Sequence, residues 1–236
     1  MRLDKFLSVT GTCSRREAKD FFRKRKIYVN GLIPKSIDIN VEEESDEILF
    51  CGQKVIYEKN IYIMMNKPQG YVCANSDKKE KTVFELMDDK YKNIDLFVAG
   101  RLDKDTEGLL LITNDGAFAH NMLSPKKHVP KTYYAKIQGE IKQEHKVLFQ
   151  KGVEIDDGYK CMPSKLEILK SGDESEILLT IHEGKFHQVK RMFLAIDTKV
   201  IFLKRVKIGS LNLDENLEQG EYKKLSDEEV LLIGVK

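Results

Sequence analysis

The sequence predicts an α+β protein: a small basic helical module followed by a larger domain built on a mixed, mainly antiparallel sheet. Three observations carry that expectation. From residue 61 onward, apolar runs of strand length alternate with a few short helical stretches and never settle into regular βαβ spacing. Charge is sorted rather than spread: residues 1–35 hold ten Lys/Arg against three acidic residues, a net +7, while residues 36–60 hold two against seven, a net −5. The motifs change character around Val55-Ile56-Tyr57-Glu58-Lys59-Asn60, which marks a linker and divides the chain into domains 1–58 and 59–236.

The amino-terminal module reads as helix, turn, basic helix and hairpin, the first helix covering about residues 2–10. Ser14-Arg15-Arg16-Glu17 has the form of a capping box, with Ser14 as N-cap and Glu17 three residues on. The helix it opens sets Ala18, Phe21 and Phe22 on one side and Arg15, Lys19 and Arg23 on another, so one face packs and the other is cationic. Tyr28-Val29-Asn30-Gly31 reads as a strand entering a type I′ turn at Asn30-Gly31. The acidic run from Glu42 to Glu47 reads as a solvated turn before the strand Ile48-Leu49-Phe50. Seven cations between Arg15 and Lys26 suit a polyanion partner.

In the larger domain, Ile61-Tyr62-Ile63-Met64-Met65 is expected as a strand. Pro68 and Gly70 dictate a turn after it, and Tyr71-Val72 would start a new strand. Leu96-Phe97-Val98-Ala99 and Leu109-Leu110-Leu111-Ile112 are short enough to be buried strands. Thr113-Asn114-Asp115-Gly116 leads into a short helix ending near Leu123, and Lys131-Thr132-Tyr133-Tyr134-Ala135-Lys136-Ile137 alternates as a strand does. Ile177-Leu178-Leu179-Thr180-Ile181 is another strand, after which Gly184 turns the chain into a helix. There Val189, Met192, Phe193 and Ile196 share a buried face, and His187, Lys190 and Arg191 fall together on another. A last strand runs through Leu203-Lys204-Arg205-Val206-Lys207-Ile208.

The stretch Gly100-Arg101-Leu102-Asp103-Lys104-Asp105-Thr106-Glu107-Gly108 sets Asp103 in a tight polar loop between two apolar runs, with a glycine at each end. A carboxylate held by a rigid frame at a strand end is a candidate nucleophile or base. By itself the segment reads first as a polar turn between strands.

Gly100-Arg101-Leu102-Asp103, then Thr106 and Gly108-Leu109, resembles the signature loop of the pseudouridine synthases. Further matches follow in that family's order: Asn66-Lys67-Pro68, Lys131-Thr132-Tyr133, His187-Gln188-Val189-Lys190-Arg191 and the Leu203–Gly209 strand. The first 31 residues resemble the αL-type RNA-binding module named for ribosomal protein S-four, through Arg2-Leu3-Asp4-Lys5-Phe6-Leu7, Ser14-Arg15-Arg16-Glu17-Ala18 and Val29-Asn30-Gly31. The whole is similar to the RsuA-type pseudouridine synthases. That resemblance implies Asp103 as the catalytic carboxylate, Tyr133 beside the target base, Lys190 against Asp103, and Ile208 packed on the flipped base. It implies Asn66-Lys67-Pro68 as support for the site. Arg2, Lys5, Arg15, Arg16, Lys19, Arg23, Arg101 and Arg191 would meet RNA, and His187 would be an RNA contact or structural. The expected reaction is conversion of uridine to pseudouridine in small-subunit (16S) ribosomal RNA, at uridine 516. A large-subunit (23S) RNA target, or a catalytically silent RNA-binding assembly factor, remains the alternative. Isomerisation loses no atom and changes no oxidation state, so neither cofactor nor metal is expected.

Composition sets outer limits. With 41% hydrophobic and 33% charged residues among 236, the chain has enough apolar matter for a core. No apolar run approaches the roughly 18 residues of a membrane span, and Met1-Arg2-Leu3-Asp4-Lys5 lacks a signal peptide's apolar core. Cys13, Cys51, Cys73 and Cys161 are widely separated, which argues against a zinc ribbon or disulfide scaffold and fits a reducing cytoplasm. The expected partner is ribosomal RNA, in the small subunit or its assembly intermediate, met by a monomeric chain.

Overall fold

A computed structural model describes residues 1–235; Lys236, the last residue of the predicted catalytic domain, lies outside the described residues. The chain forms two compact units. The first comprises Met1–Ile61 with Met87–Leu96, the second Tyr62–Leu86 with Phe97–Lys236. The excursion of Met87–Leu96 into the first unit has no signature in the sequence. Gly11 shows how closely it packs there: at φ +72, a Cβ on it would lie 2.1 Å from the Lys90 carbonyl oxygen.

The first unit has α1 (Leu3–Val9), α2 (Arg15–Arg23) and a small antiparallel sheet of β1 (Ile27–Val29), β2 (Ile48–Phe50) and β3 (Gln53–Lys54). The capping box forms as its spacing demands: Ser14 Oγ accepts from the Glu17 amide at 3.2 Å, and a Glu17 carboxylate oxygen accepts from the Ser14 amide at 2.8 Å. Leu3, Phe6, Leu7, Ala18, Ile27 and Ile48 make the core. Asn30 and Gly31 both take positive φ, 50° and 77°, as a type I′ turn requires. The returning chain makes only a bridge, Val29 to Leu32, and no strand follows. Pro34, with no N–H to donate, follows the bridge by two residues, and β1 takes β2 as its partner instead.

The second unit is one nine-stranded sheet. It contains β4 (Tyr62–Lys67), β5 (Phe97–Ala99), β6 (Glu107–Thr113), β7 (Lys131–Gln138), β8 (Lys165–Lys170), β9 (Glu174–Ile181), β10 (Lys199–Ile208), β11 (Leu211–Asn212) and β12 (Tyr222–Lys224). The main order is β12-β4-β6-β10-β7-β9-β8, with β5 on β6 and β11 on β10. Every pairing is antiparallel except β6 with β10. The sheet is therefore mixed and mainly antiparallel, as the irregular strand spacing indicated. Four helices accompany it: α3 (Gly116–Leu123), α4 (Gln143–Lys151), α5 (Gln188–Leu194) and α6 (Asp227–Leu232). Tyr71-Val72 starts no strand; Val72 makes a single bridge to Thr82, because residues 73–81 are mostly polar and offer no alternating face. The helix at residues 143–151, the strand at 165–170 and the closing elements after residue 220 were not anticipated.

Candidate active site

The parallel junction of β6 and β10 places the Asp103 loop. Gly108 sits opposite Arg205 at φ +97, and a Cβ there would fall 2.2 Å from the Arg205 carbonyl oxygen, so only glycine permits this approach. The Arg205 guanidinium, itself buried, donates from Nε to the Leu109 carbonyl at 2.8 Å and from Nη2 to the Gly100 carbonyl at 2.7 Å. One side chain thus clamps both ends of the loop. Lys67 clamps its middle, its buried ammonium donating to the carbonyls of Thr106 at 2.9 Å, Pro68 at 3.0 Å and Lys104 at 3.3 Å. The Gly70 amide donates to Lys104 O at 2.9 Å, and the Thr106 amide closes the turn onto Asp103 O at 3.1 Å. The Asn66-Lys67-Pro68 segment therefore sits beneath the loop and supports it, as the resemblance implies.

The loop presents Asp103 to a cleft of about 540 Å³ that also receives Arg101, Lys131, Tyr133, His187, Lys190 and Arg205. Its size is that of a small-ligand site. Helix α5 brings the cation. Lys190 Nζ donates to Asp103 Oδ2 at 3.1 Å and to Asp105 Oδ1 at 2.6 Å. Burial weakens the Lys190 ammonium, but its bonds to Asp105 and Asp103 outweigh that and raise its pKa above the usual value. For Asp105, burial also opposes ionisation, and the Lys190 bond prevails to hold its pKa below the carboxylate range. The Asp103 side chain keeps 30% of its surface exposed, enough to meet a ligand, and His187 Nε2 stands 3.7 Å from its other oxygen. Tyr133 is 9% exposed and lines the wall; across β10 it pairs with Arg205, across β9 with Leu179. Its neighbour Tyr134 points to the opposite face, where its hydroxyl donates to Glu176 at 2.7 Å.

Family comparison decides the class of site. Residues 61–195 match the RNA pseudouridylate synthase family, and residues 1–48 match the S4 domain. The chain belongs to the RNA pseudouridylate synthase family. It is 44% identical over 235 residues to an uncharacterized RNA pseudouridine synthase of Bacillus subtilis, covering 99% of this chain and 98% of that one. It is 43% identical over 235 residues to the ribosomal small subunit pseudouridine synthase A of Vibrio cholerae, covering 99% of each. A crystal structure of a pseudouridylate synthase superimposes with a TM-score of 0.69 at 39% identity, over 99% of both chains.

Within this synthase, Asp103, Tyr133, Lys190, Arg101 and His187 line one cleft. Ile208 does not. It is fully buried in a core cluster with Phe118, Ala119 and Met122 of α3, and it does not line the cleft. A bulge between Arg205 and Lys207 keeps Ile208 opposite Lys131, but Ile208 shares its buried cluster with Leu211, Leu225 and Ile233 as well, and Leu203 supplies the apolar wall from β10. Arg191 is also diverted: its guanidinium is held by Asp156 at 2.5 Å and Asp157 at 2.7 Å, so the side chain expected at RNA is committed to the protein. In the first unit Arg2, Lys5, Arg15, Arg16, Lys19 and Arg23 are all exposed. Arg2 is paired with Asp4 and Arg23 with Asp20, whereas Arg15, Arg16 and Lys19 form no salt bridge among the described residues.

Sequence reasoning missed Lys131 and Arg205 as cleft residues. Lys131 is 6% exposed with one long bond, 3.5 Å, to the Met122 carbonyl; burial first, and the Arg205 charge second, push its pKa down to about 8. Only its place two residues before Tyr133 on the same face of an alternating strand could have flagged it.

Proposed function

We propose that the enzyme converts a uridine of small-subunit ribosomal RNA to pseudouridine, with position 516 of the 16S RNA as its target and Asp103 as the catalytic carboxylate. The observation that carries this is the Asp103–Lys190 contact, an acid and its cation facing into a cleft of base-accommodating size. Similarity over nearly the whole chain to a protein named for the small ribosomal subunit supports the choice of RNA.

The reaction breaks the N1–C1′ bond, turns the base and joins C5 to C1′, while the C5 proton leaves and N1 gains one. A carboxylate is the group this needs, as nucleophile or as base. The target must first leave its stack, at a cost of a few kcal/mol, and Tyr133 would then lie against the flipped base. Lys190 keeps a positive charge beside Asp103 through the sequence of bond changes. Arg101 and His187 take the phosphates or sugars around the target. The exposed Arg15, Arg16 and Lys19, with Lys5, hold the RNA through its backbone. On this reading the enzyme acts as a monomer, in the cytoplasm, on the small subunit or an intermediate of its assembly. No helix among the described residues is long and apolar enough to cross a membrane.

Pseudouridine mapping of both ribosomal RNAs, with and without this gene, tests the reading. Loss of one site in the 16S RNA is the expected result. A missing site in the 23S RNA would move the substrate to the large subunit, and an unchanged map would leave a protein that binds RNA without turnover.

A further inference from the structure

Of the eleven phenylalanines in the chain, Phe186 alone is exposed, with 76% of its surface accessible, and it stands at the rim of the Asp103 cleft. Its ring stacks on His187 with centroids 3.8 Å apart and planes inclined by 20°. One face is covered by the imidazole, which leaves the other to solvent. His187 is in turn the residue whose Nε2 lies 3.7 Å from Asp103, so ring, imidazole and carboxylate form a continuous line from rim to floor.

The loop carrying Phe186 is pinned although its ring is not. Glu183, buried beneath it, accepts from the Tyr159 hydroxyl at 2.7 Å, the Met162 amide at 2.8 Å and Gln188 Nε2 at 2.9 Å. Gln188 Oε1 accepts from the Lys185 amide at 2.9 Å, and Arg191 donates to the Phe186 carbonyl at 3.4 Å. The Lys185 ammonium sits 4.5 Å above the Tyr159 ring. His187 takes a left-handed backbone, φ 50°, at the start of α5. A side chain left in water is ordinarily mobile; here the backbone is fixed from both sides and the ring is backed by another ring. That is a pre-organised flat apolar surface, bordered by the cations Lys185 and Arg101.

We propose that Phe186, backed by His187, is a stacking subsite for the unpaired nucleobase next to the uridine held in the cleft. The inference rests on the uridine-isomerising reading above and deepens it. Extruding one base deprives its neighbour of a stacking partner, and an aromatic face at the cleft mouth restores one. A nucleobase fits this surface better than an aliphatic protein side chain does. Its π-face matches the ring, and its flanking phosphates match the two cations. Sequence tolerance follows, because every base has such a face.

Steady-state isomerisation by the full-length enzyme tests this. The substrate is whichever ribosomal RNA fragment the wild type modifies, prepared intact or with an abasic residue 5′ or 3′ of the target. Phe186→Ala should raise KM roughly 10-fold while kcat changes by less than about 2-fold, and Phe186→Trp should stay near wild type. With the abasic residue on one of the two sides, the wild type should lose the same affinity and the Ala variant should lose no more, since the partner is already gone. An unchanged KM in Phe186→Ala overturns the subsite, as do additive losses on both sides. A fall in kcat alone would make Phe186 a prop for His187, which also overturns it. Should the Ala variant fail to fold, the abasic series with wild type and Phe186→Trp still decides: no loss on either side overturns the proposal. No pseudouridine from the wild type in any ribosomal fragment would sink the underlying reading, and the subsite with it.

Discussion

The amino-terminal basic helix and the Asp103 loop are both crowded with charge, yet they hold it in opposite ways. On α2, Arg15, Arg16 and Lys19 project into solvent without a salt bridge among the described residues. Around Asp103 the cations that shape the loop are engaged: Lys190 bridges two carboxylates, and Lys67 and Arg205 are spent on backbone carbonyls. Unpaired, solvated cations keep their field for a polyanion and exchange counterions with it. Paired, half-buried ones fix a geometry. On the proposed function the difference separates holding RNA from acting on it, and each region should fail in its own manner.

The largest effect belongs to Asp103→Asn. The amide fills the same space but offers neither nucleophile nor base, so isomerisation should fall on the order of 10⁴-fold with RNA affinity nearly unchanged. Residual turnover near the wild-type rate would shift the chemistry to Asp105, the other carboxylate on Lys190.

Lys190→Met should cost roughly 10²-fold at neutral pH. The Lys190 bond is what holds Asp105 below its ordinary pKa. Without the cation, burial of Asp105 is no longer offset, and its carboxyl takes up a proton at higher pH than before, which removes a charge beside Asp103. The acid limb of the single-turnover rate should therefore move upward, with activity partly regained in alkaline buffer. Lys190→Arg should retain much of it. A uniform loss with no displaced limb would mean that Lys190 positions RNA instead.

Changing Arg15, Lys19 and Arg23 together to Ala should weaken RNA binding by roughly 10- to 100-fold at moderate salt. The slope of log affinity against log salt should drop by about 2 to 3, one unit per lost phosphate contact. Turnover at saturating RNA should hardly move. Arg23 already engages Asp20, so the single Arg23→Ala change should have the least effect of the three. Wild-type affinity and slope in the triple variant would remove α2 from the binding surface.

The smallest effect is on stability. Burial lowers the Lys131 pKa from 10.5 to about 8. Between those values the unfolded chain holds a proton that the folded one lacks, so stability climbs as pH rises through this window. Below about 8 the buried ammonium costs up to about 3 kcal/mol. Lys131→Met should melt higher than wild type at pH 7 and lose the climb. Equal melting curves at both ends of the window would show that the ammonium is better solvated than its burial implies.

What the sequence determined by itself is everything set by short-range rules. The capping box at Ser14, the positive-φ turn at Asn30-Gly31 and the alternation of residues 131–137 follow from local sterics and hydrogen bonding. The motifs likewise brought forward Asp103, Tyr133 and Lys190, which line one cleft. What it could not give were facts about distance along the sheet. Ile208 reads as a fine base-packing residue until the fold is seen to bury it in a core cluster away from the cleft. Arg191 shares a basic stripe with Lys190, and only the fold shows that Asp156 and Asp157 claim it. Arg205 looks like one more cation in a charged strand, yet it ties Gly100 to Leu109, more than 90 residues away in sequence. Such roles depend on which strands become neighbours, and the parallel β6–β10 junction that decides them joins segments with no local signal for each other.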